Sequence, residues 1–199
     1  MLAGEELAWD VLGLLDPEVV CRRTRAFYDC KAHTFKLKFF SQYVDVSLHS
    51  KFISSQERVG ELLLEKLRNY ASLTILWYLI HASDAPSSGK LVNPADLAGG
   101  QIYAGGTHVL PVQLIADKYR ADREGFINRG RILGGQELSL AEASFLLLPF
   151  PRISIAILLW LQDDEFPARS LLLVDSSSGQ QLPPDAMWLT TMMCLTALI

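Results

Sequence analysis

The chain has 199 residues, of which half are apolar and one fifth charged, with a formal net charge of −4 and a mean hydropathy of +0.20. That length suits one domain, the composition excludes intrinsic disorder, and a chain of this size buries roughly 70% of the surface it exposes when unfolded, so a core needs neither disulfide nor metal. The longest apolar stretches, residues 73–80 and 153–161, fall short of the roughly 20 residues that span a bilayer as a helix. Glu5 and Glu6 make the amino terminus acidic where a signal peptide is basic. Three cysteines, Cys21, Cys30 and Cys194, form no CxxC pair. The expectation is a cytoplasmic protein with no membrane partner. Residues 133–199 hold two bases, Arg152 and Arg169, against seven acids, and no basic stripe occurs elsewhere, so nucleic acid is excluded as a partner.

Apolar residues at 7, 11, 12, 14 and 15 predict a short amphipathic helix over 5–15. Asp16-Pro17-Glu18 starts a second helix, with Asp16 as N-cap and Pro17 in the first turn, expected to run to Tyr28 with Arg22, Arg23 and Arg25 on a solvated face. Residues 34–40 and 43–48 alternate apolar and polar side chains and predict a hairpin with one wet face, turning at Ser41-Gln42. From residues 54–57 a long helical stretch follows, apolar nearly all round over 71–81 and therefore buried.

Residues 89–135 carry nine of the thirteen glycines. Asn93-Pro94 caps a helical turn, and helices are expected over 112–119 and 123–132, the second ending at Gly134-Gly135. Three apolar runs follow, 144–150, 153–161 and 170–174, with short connections that favour an antiparallel meander. Pro183, Pro184 and Asp185 introduce a terminal helix. Strands and helices are grouped rather than alternating, so the expected fold is a single α+β domain over 1–199, an antiparallel sheet of about five strands with helices packed on it.

Three constellations carry chemistry. Gly105-Gly106-Thr107-His108 precedes Pro111 and its helix, where glycines admit a ligand to the backbone and histidine can bind a metal or move a proton. The plainer reading is a tight loop with a locally bonded histidine. Asp163-Asp164-Glu165 places three carboxylates on a hairpin tip, able to hold a hard cation or to act as acid or base. Its plainer reading is a solvated turn that discourages edge pairing. Arg152, alone in an apolar stretch, pairs with that tip, holds an anionic ligand, or makes an internal structural ion pair. Cys30-Lys31-Ala32-His33, with Cys21 and His49 nearby, opens like a zinc site but lacks the remaining ligands at any known spacing, so no metal is assigned.

LAGGQIYAGGTHVLP over residues 97–111, together with FPRISIAILLW over 150–160, DDEFP over 163–167 and LVD over 173–175, resembles an uncharacterised prokaryotic domain family of anaerobic bacteria and archaea. Some members of that family are joined to an iron–sulfur cluster domain. The resemblance supplies no catalytic residues. It directs attention to Gly106, Thr107, His108, Arg152, Trp160, Asp164 and Glu165, and it implies a setting of anaerobic, corrinoid- or iron–sulfur-related metabolism.

Three functions compete. The first is a non-enzymatic ligand-binding or accessory domain, its small-molecule or anionic ligand held by Gly105, Gly106, Thr107, His108, Arg152, Asp164 and Glu165. The second is an enzyme in which His108 works with Asp164 or Glu165. The third is a protein-interaction domain, such as a homodimer joined through the charge-poor last third. The cofactor stays unassigned.

Overall fold

Asp16 accepts a hydrogen bond from the Glu18 N–H at 2.9 Å, with Pro17 in the first turn behind it, so the second helix starts where the residues predict. The computed structural model describes residues 3–105 and 108–199. Helix α1 spans Ala3–Leu14 and α2 Pro17–Thr24. The second helix stops short of the expected Tyr28. Arg25 adopts a left-handed backbone (φ 61°), its N–H bonds the Cys21 carbonyl, and the chain turns into a strand. That strand, β1 (Phe27–Asp29), is held by β-pairing of Tyr28 with Phe35, whose rings meet at 4.6 Å.

The hairpin follows as β2 (Thr34–Phe39) and β3 (Gln42–Ser47), with Phe35, Leu37 and Phe39 buried and Lys36 and Lys38 exposed, as the alternation predicts. The turn falls one residue earlier than expected, on Phe40 and Ser41. Phe40 takes φ 53°, a costly backbone for a bulky residue, while its ring is buried and its N–H bonds the Pro149 carbonyl at 3.1 Å. A short β4 (Phe52–Ser54) completes a four-stranded antiparallel sheet ordered β1-β2-β3-β4.

The long helical stretch is two helices, α3 (Arg58–Lys66) and α4 (Ala71–His81), separated at residues 67–70. Leu67 is fully buried at the break, and α4 is packed against α1, α2 and the terminal helix, which explains its apolar circumference. After β5 (Leu91–Val92) and two 3-10 turns come α5 (Gln113–Tyr119) and α6 (Arg123–Ile132), the latter capped by the Asp122 carboxylate on the Gly125 N–H.

The last third is the predicted meander: β7 (Ala143–Phe150), β8 (Ile153–Trp160) and β9 (Arg169–Asp175), then α7 (Pro184–Leu198). With β5 and β6 (Gln136–Glu137) at its edges it forms the expected five-stranded antiparallel sheet, ordered β5-β9-β8-β7-β6. The fold is therefore α+β. The hairpin does not join this sheet but makes its own, and the two meet where β2 touches β7.

One continuous core links both sheets. Phe39, Tyr78 and Phe150 stack from one to the other, Tyr78 lying parallel to Phe150 at 4.5 Å. Helix α7 packs on α3, α4, α6 and β7 and is buried on most of its circumference. Its last carbonyls accept bonds from the Tyr119 hydroxyl and from Lys118 and Arg129, two cations suited to a helix C-terminus. The apolar surplus of residues 144–174 goes into this core: of the large apolar side chains in β7, β8 and β9, only Leu148 is exposed. Among the described residues, no helix is long and apolar enough to cross a membrane.

Candidate functional site

The residues singled out from the sequence are carried by three parts of the chain. The first is the glycine-rich loop, which lies against the start of α7. Tyr103 donates its hydroxyl to the Pro184 carbonyl at 3.1 Å, and the Trp188 indole N–H donates to the His108 carbonyl at 2.8 Å. The His108 ring meets Trp188 edge-on at 5.0 Å. Gly99, at φ 77°, approaches Pro184 so closely that a Cβ would lie 2.6 Å from its ring, so close packing demands a glycine there. Gly105 has an extended backbone and open space around it. Gly106 and Thr107 fall outside the described residues.

The second place is the β7–β8 turn. Arg152 sits in that turn rather than inside a strand. Its guanidinium donates to four backbone carbonyls: Arg23, Arg22 at 3.2 Å, and Asp84 and Ala85 at 3.3 Å each. It thus closes the C-terminus of α2 and holds the chain leaving α4. Of the pairings expected for Arg152, neither the one with the acidic tip nor an internal ion pair occurs among the described residues. The eight residues of β8 separate Arg152 from the tip, a distance of about 25 Å at the ordinary rise of a strand.

Beside this turn lies a charged residue that sequence reasoning missed. Asp175, at the end of β9, is 1% exposed and accepts six hydrogen bonds, from the N–H groups of Ser88, Gly89 and Ser177 and the hydroxyls of Ser87, Ser88 and Ser177. Burial alone would raise its carboxyl pKa, but these donors outweigh burial and hold it well below the usual carboxylate range. The signal in the sequence is a clustering of Ser87-Ser88-Gly89 and Ser176-Ser177 around no evident partner.

The third place is the other end of the meander, beyond Trp160. The Asp163 carboxylate accepts from the N–H groups of Glu165 (2.8 Å) and Phe166 (2.7 Å), which close the tip and lower its pKa. Asp163 borders a cavity of about 690 Å³; Asp164 and Glu165 are exposed and are not among its lining residues. Trp160, Leu161, Phe166 and Pro167 form its apolar wall, and Gln113, Glu142 and Arg169 its polar edge. His108 and Arg152 are not among its lining residues.

Strand register builds this cavity. Trp160 and Arg169 are directly opposite as the last pair of β8 and β9, and the Arg169 guanidinium lies 4.4 Å from the Trp160 ring centroid, a cation–π contact. Arg169 forms no ion pair among the described residues. Helix α5 closes one side, where Ser170 donates to the Val112 carbonyl and Gln113 to the Ala168 carbonyl. Glu142 closes the other by accepting the Leu161 N–H at 2.8 Å through one oxygen. The charge census of the last third names Arg169 beside Arg152; the isolation of Arg152 in an apolar stretch draws attention to the wrong one. Gln113, Glu142 and Phe166 carry no local signal, because only tertiary packing brings them together.

Among the described residues no group of three or more His, Cys, Asp or Glu side chains is arranged to hold a metal ion. Residues 16–197 match the model of a family described as a domain of unknown function, DUF3786. No curated protein and no solved structure matches the chain.

Proposed function

The chain belongs to the DUF3786 domain family, and from that premise we propose that it is a small-molecule-binding, accessory domain whose ligand occupies the cavity between Trp160 and the 163–167 tip. A volume of about 690 Å³, an apolar wall and a few convergent polar groups have the character of a ligand pocket. The observation that carries this reading is the Trp160–Arg169 pair: an indole face beside a guanidinium that no acidic side chain neutralises among the described residues. Such a pair takes a planar ring bearing an anionic group. Glu142 and Asp163 across the cavity add acceptors for a donor group on the same ligand, so ring amino acids and hydroxylated ring acids fit both edges. The sequence resemblance adds the setting proposed for it, anaerobic metabolism close to corrinoid or iron–sulfur chemistry.

Differential scanning fluorimetry tests this. L-tryptophan, L-tyrosine and indole-3-acetate are probes with a ring and an acid; inorganic phosphate is the ringless control. The ring acids raise the melting temperature of the wild type, phosphate does not, and Arg169→Ala and Trp160→Ala lose the effect. The reading is overturned if none of the ring acids shifts the transition, or if Arg169→Ala keeps the full shift.

A further inference from the structure

On the opposite part of the molecule, a concavity of about 700 Å³ lies where α2 meets β1, and Cys21, Cys30, Tyr28 and Phe27 line it. The left-handed Arg25 produces this arrangement by folding β1 back beside the helix the chain has just left, which brings residues nine apart in sequence to one surface. Cys21 is half-buried on the helix and Cys30 exposed in the turn after β1; neither is bonded. Both residues face this one concavity, and burial, with a smaller contribution from Cys30, raises the pKa of Cys21. The zinc reading of Cys30 and His33 is not the use of this pair, because the His33 Nδ1 meets the Tyr28 hydroxyl at 3.1 Å and, among the described residues, Cys21, Cys30 and His33 are not grouped to hold a metal. Thiol–disulfide exchange uses an exposed sulfur to meet the external disulfide and a second one to resolve the adduct, and here an exposed Cys30 and a half-buried Cys21 line the same concavity.

We propose that Cys21 and Cys30 are a reversible redox pair, oxidised by a small-molecule disulfide of the glutathione class to a bond that ties α2 to the β1–β2 turn. The Cys30 thiolate attacks one sulfur of the external disulfide, whose S–S bond breaks and releases the first small thiol. Cys21, its proton passed to solvent, then attacks the Cys30 sulfur and expels the second. The protein loses two electrons and two protons as one S–S bond forms, and the external disulfide is reduced to two thiols. Cys194, wholly buried in α7, takes no part.

The experiment treats the reduced full chain with oxidised glutathione, quenches with iodoacetamide and maps tryptic peptides by mass. Cleavage after Arg22, Arg23 and Arg25 puts Cys21 and Cys30 on separate peptides, so the bond reads as a cross-link between residues 1–22 and 26–31. Two of the three free thiols disappear, the cross-linked pair dominates over glutathione adducts, and dithiothreitol restores both. Cys21→Ser stalls at one glutathione on Cys30, with Cys21→Ala as the substitute if the serine variant does not fold, and Cys194→Ser reacts as wild type. Stable adducts on both Cys21 and Cys30, cross-linking only between chains, or no loss of thiols would each overturn the assignment.

Discussion

The two ends of strand β8 treat their charged residues in opposite ways. At the Ile153 end, Arg152 gives four of its five N–H groups to backbone carbonyls and Asp175 accepts from six donors, so the chain itself uses nearly all the capacity of both charges. At the Trp160 end, Arg169 lies over an indole without an acidic partner among the described residues, and Glu142 uses one carboxylate oxygen on backbone and leaves the other. Both ends belong to the same sheet and the same apolar stretch. What separates a structural charge from a binding one is how many of its hydrogen bonds the protein itself already satisfies.

The contrast breaks first at Asp175. Asp175→Ala leaves six donors without their acceptor at a buried site and lowers stability by about 3–5 kcal/mol, the cost of breaking a buried charged network. Urea unfolding at neutral pH measures it, and a loss under about 1 kcal/mol would mean the cluster rearranges around water instead. The pH dependence has a definite sign. A carboxyl held below its unfolded value, about 3.9, contributes stability that is fully present above that pH and disappears as pH falls through the folded value. The stability gap between wild type and Asp175→Asn is therefore widest near neutrality and narrows below about pH 4. Arg152→Ala comes next, at about 2–3 kcal/mol, because it removes charge-assisted bonds that hold α2 to the chain after α4. Arg152→Lys recovers little of that loss, since an ammonium cannot span four carbonyls from two segments.

Local chemistry was legible wherever one element decides its own outcome. The Asp16-Pro17 cap, the alternation in β2, and the runs of β7, β8 and β9 are each read from a few neighbouring residues, and each lies where it is expected. What escaped depends on partners remote in sequence. Residues 27–29 have no strand pattern of their own and become β1 because β2 offers them an edge and Phe35 a ring. The edge strands β5 and β6 are two residues each and exist only as pairs with β9 and β7. The candidate site divides in the same way. The tip was legible because proline and carboxylates mark the end of a strand, whereas Trp160 drew attention only through the family resemblance. Arg169 was visible as one of two bases, but its position over Trp160 depends on a cross-strand register that sequence spacing does not supply.

The open end predicts small effects on stability and large ones on binding. Arg169→Ala removes a cation–π contact at an exposed position and costs about 0.5–1 kcal/mol in urea unfolding, well under the loss at Arg152. A loss equal to that of Arg152→Ala would make Arg169 structural and erase the difference between the two ends. Phe166 sharpens the comparison further. It is 66% exposed, the largest apolar side chain on the tip, and its ring borders the cavity while its N–H is fixed by Asp163. An exposed phenylalanine contributes little to a fold, so Phe166→Ser changes stability by no more than about 0.5 kcal/mol. If the cavity receives a planar ring, the same substitution removes a wall of the site, and the thermal shift by L-tryptophan falls while the shape of the unfolding transition is unchanged. An equal thermal shift in wild type and Phe166→Ser would place the ring elsewhere, against Trp160 alone.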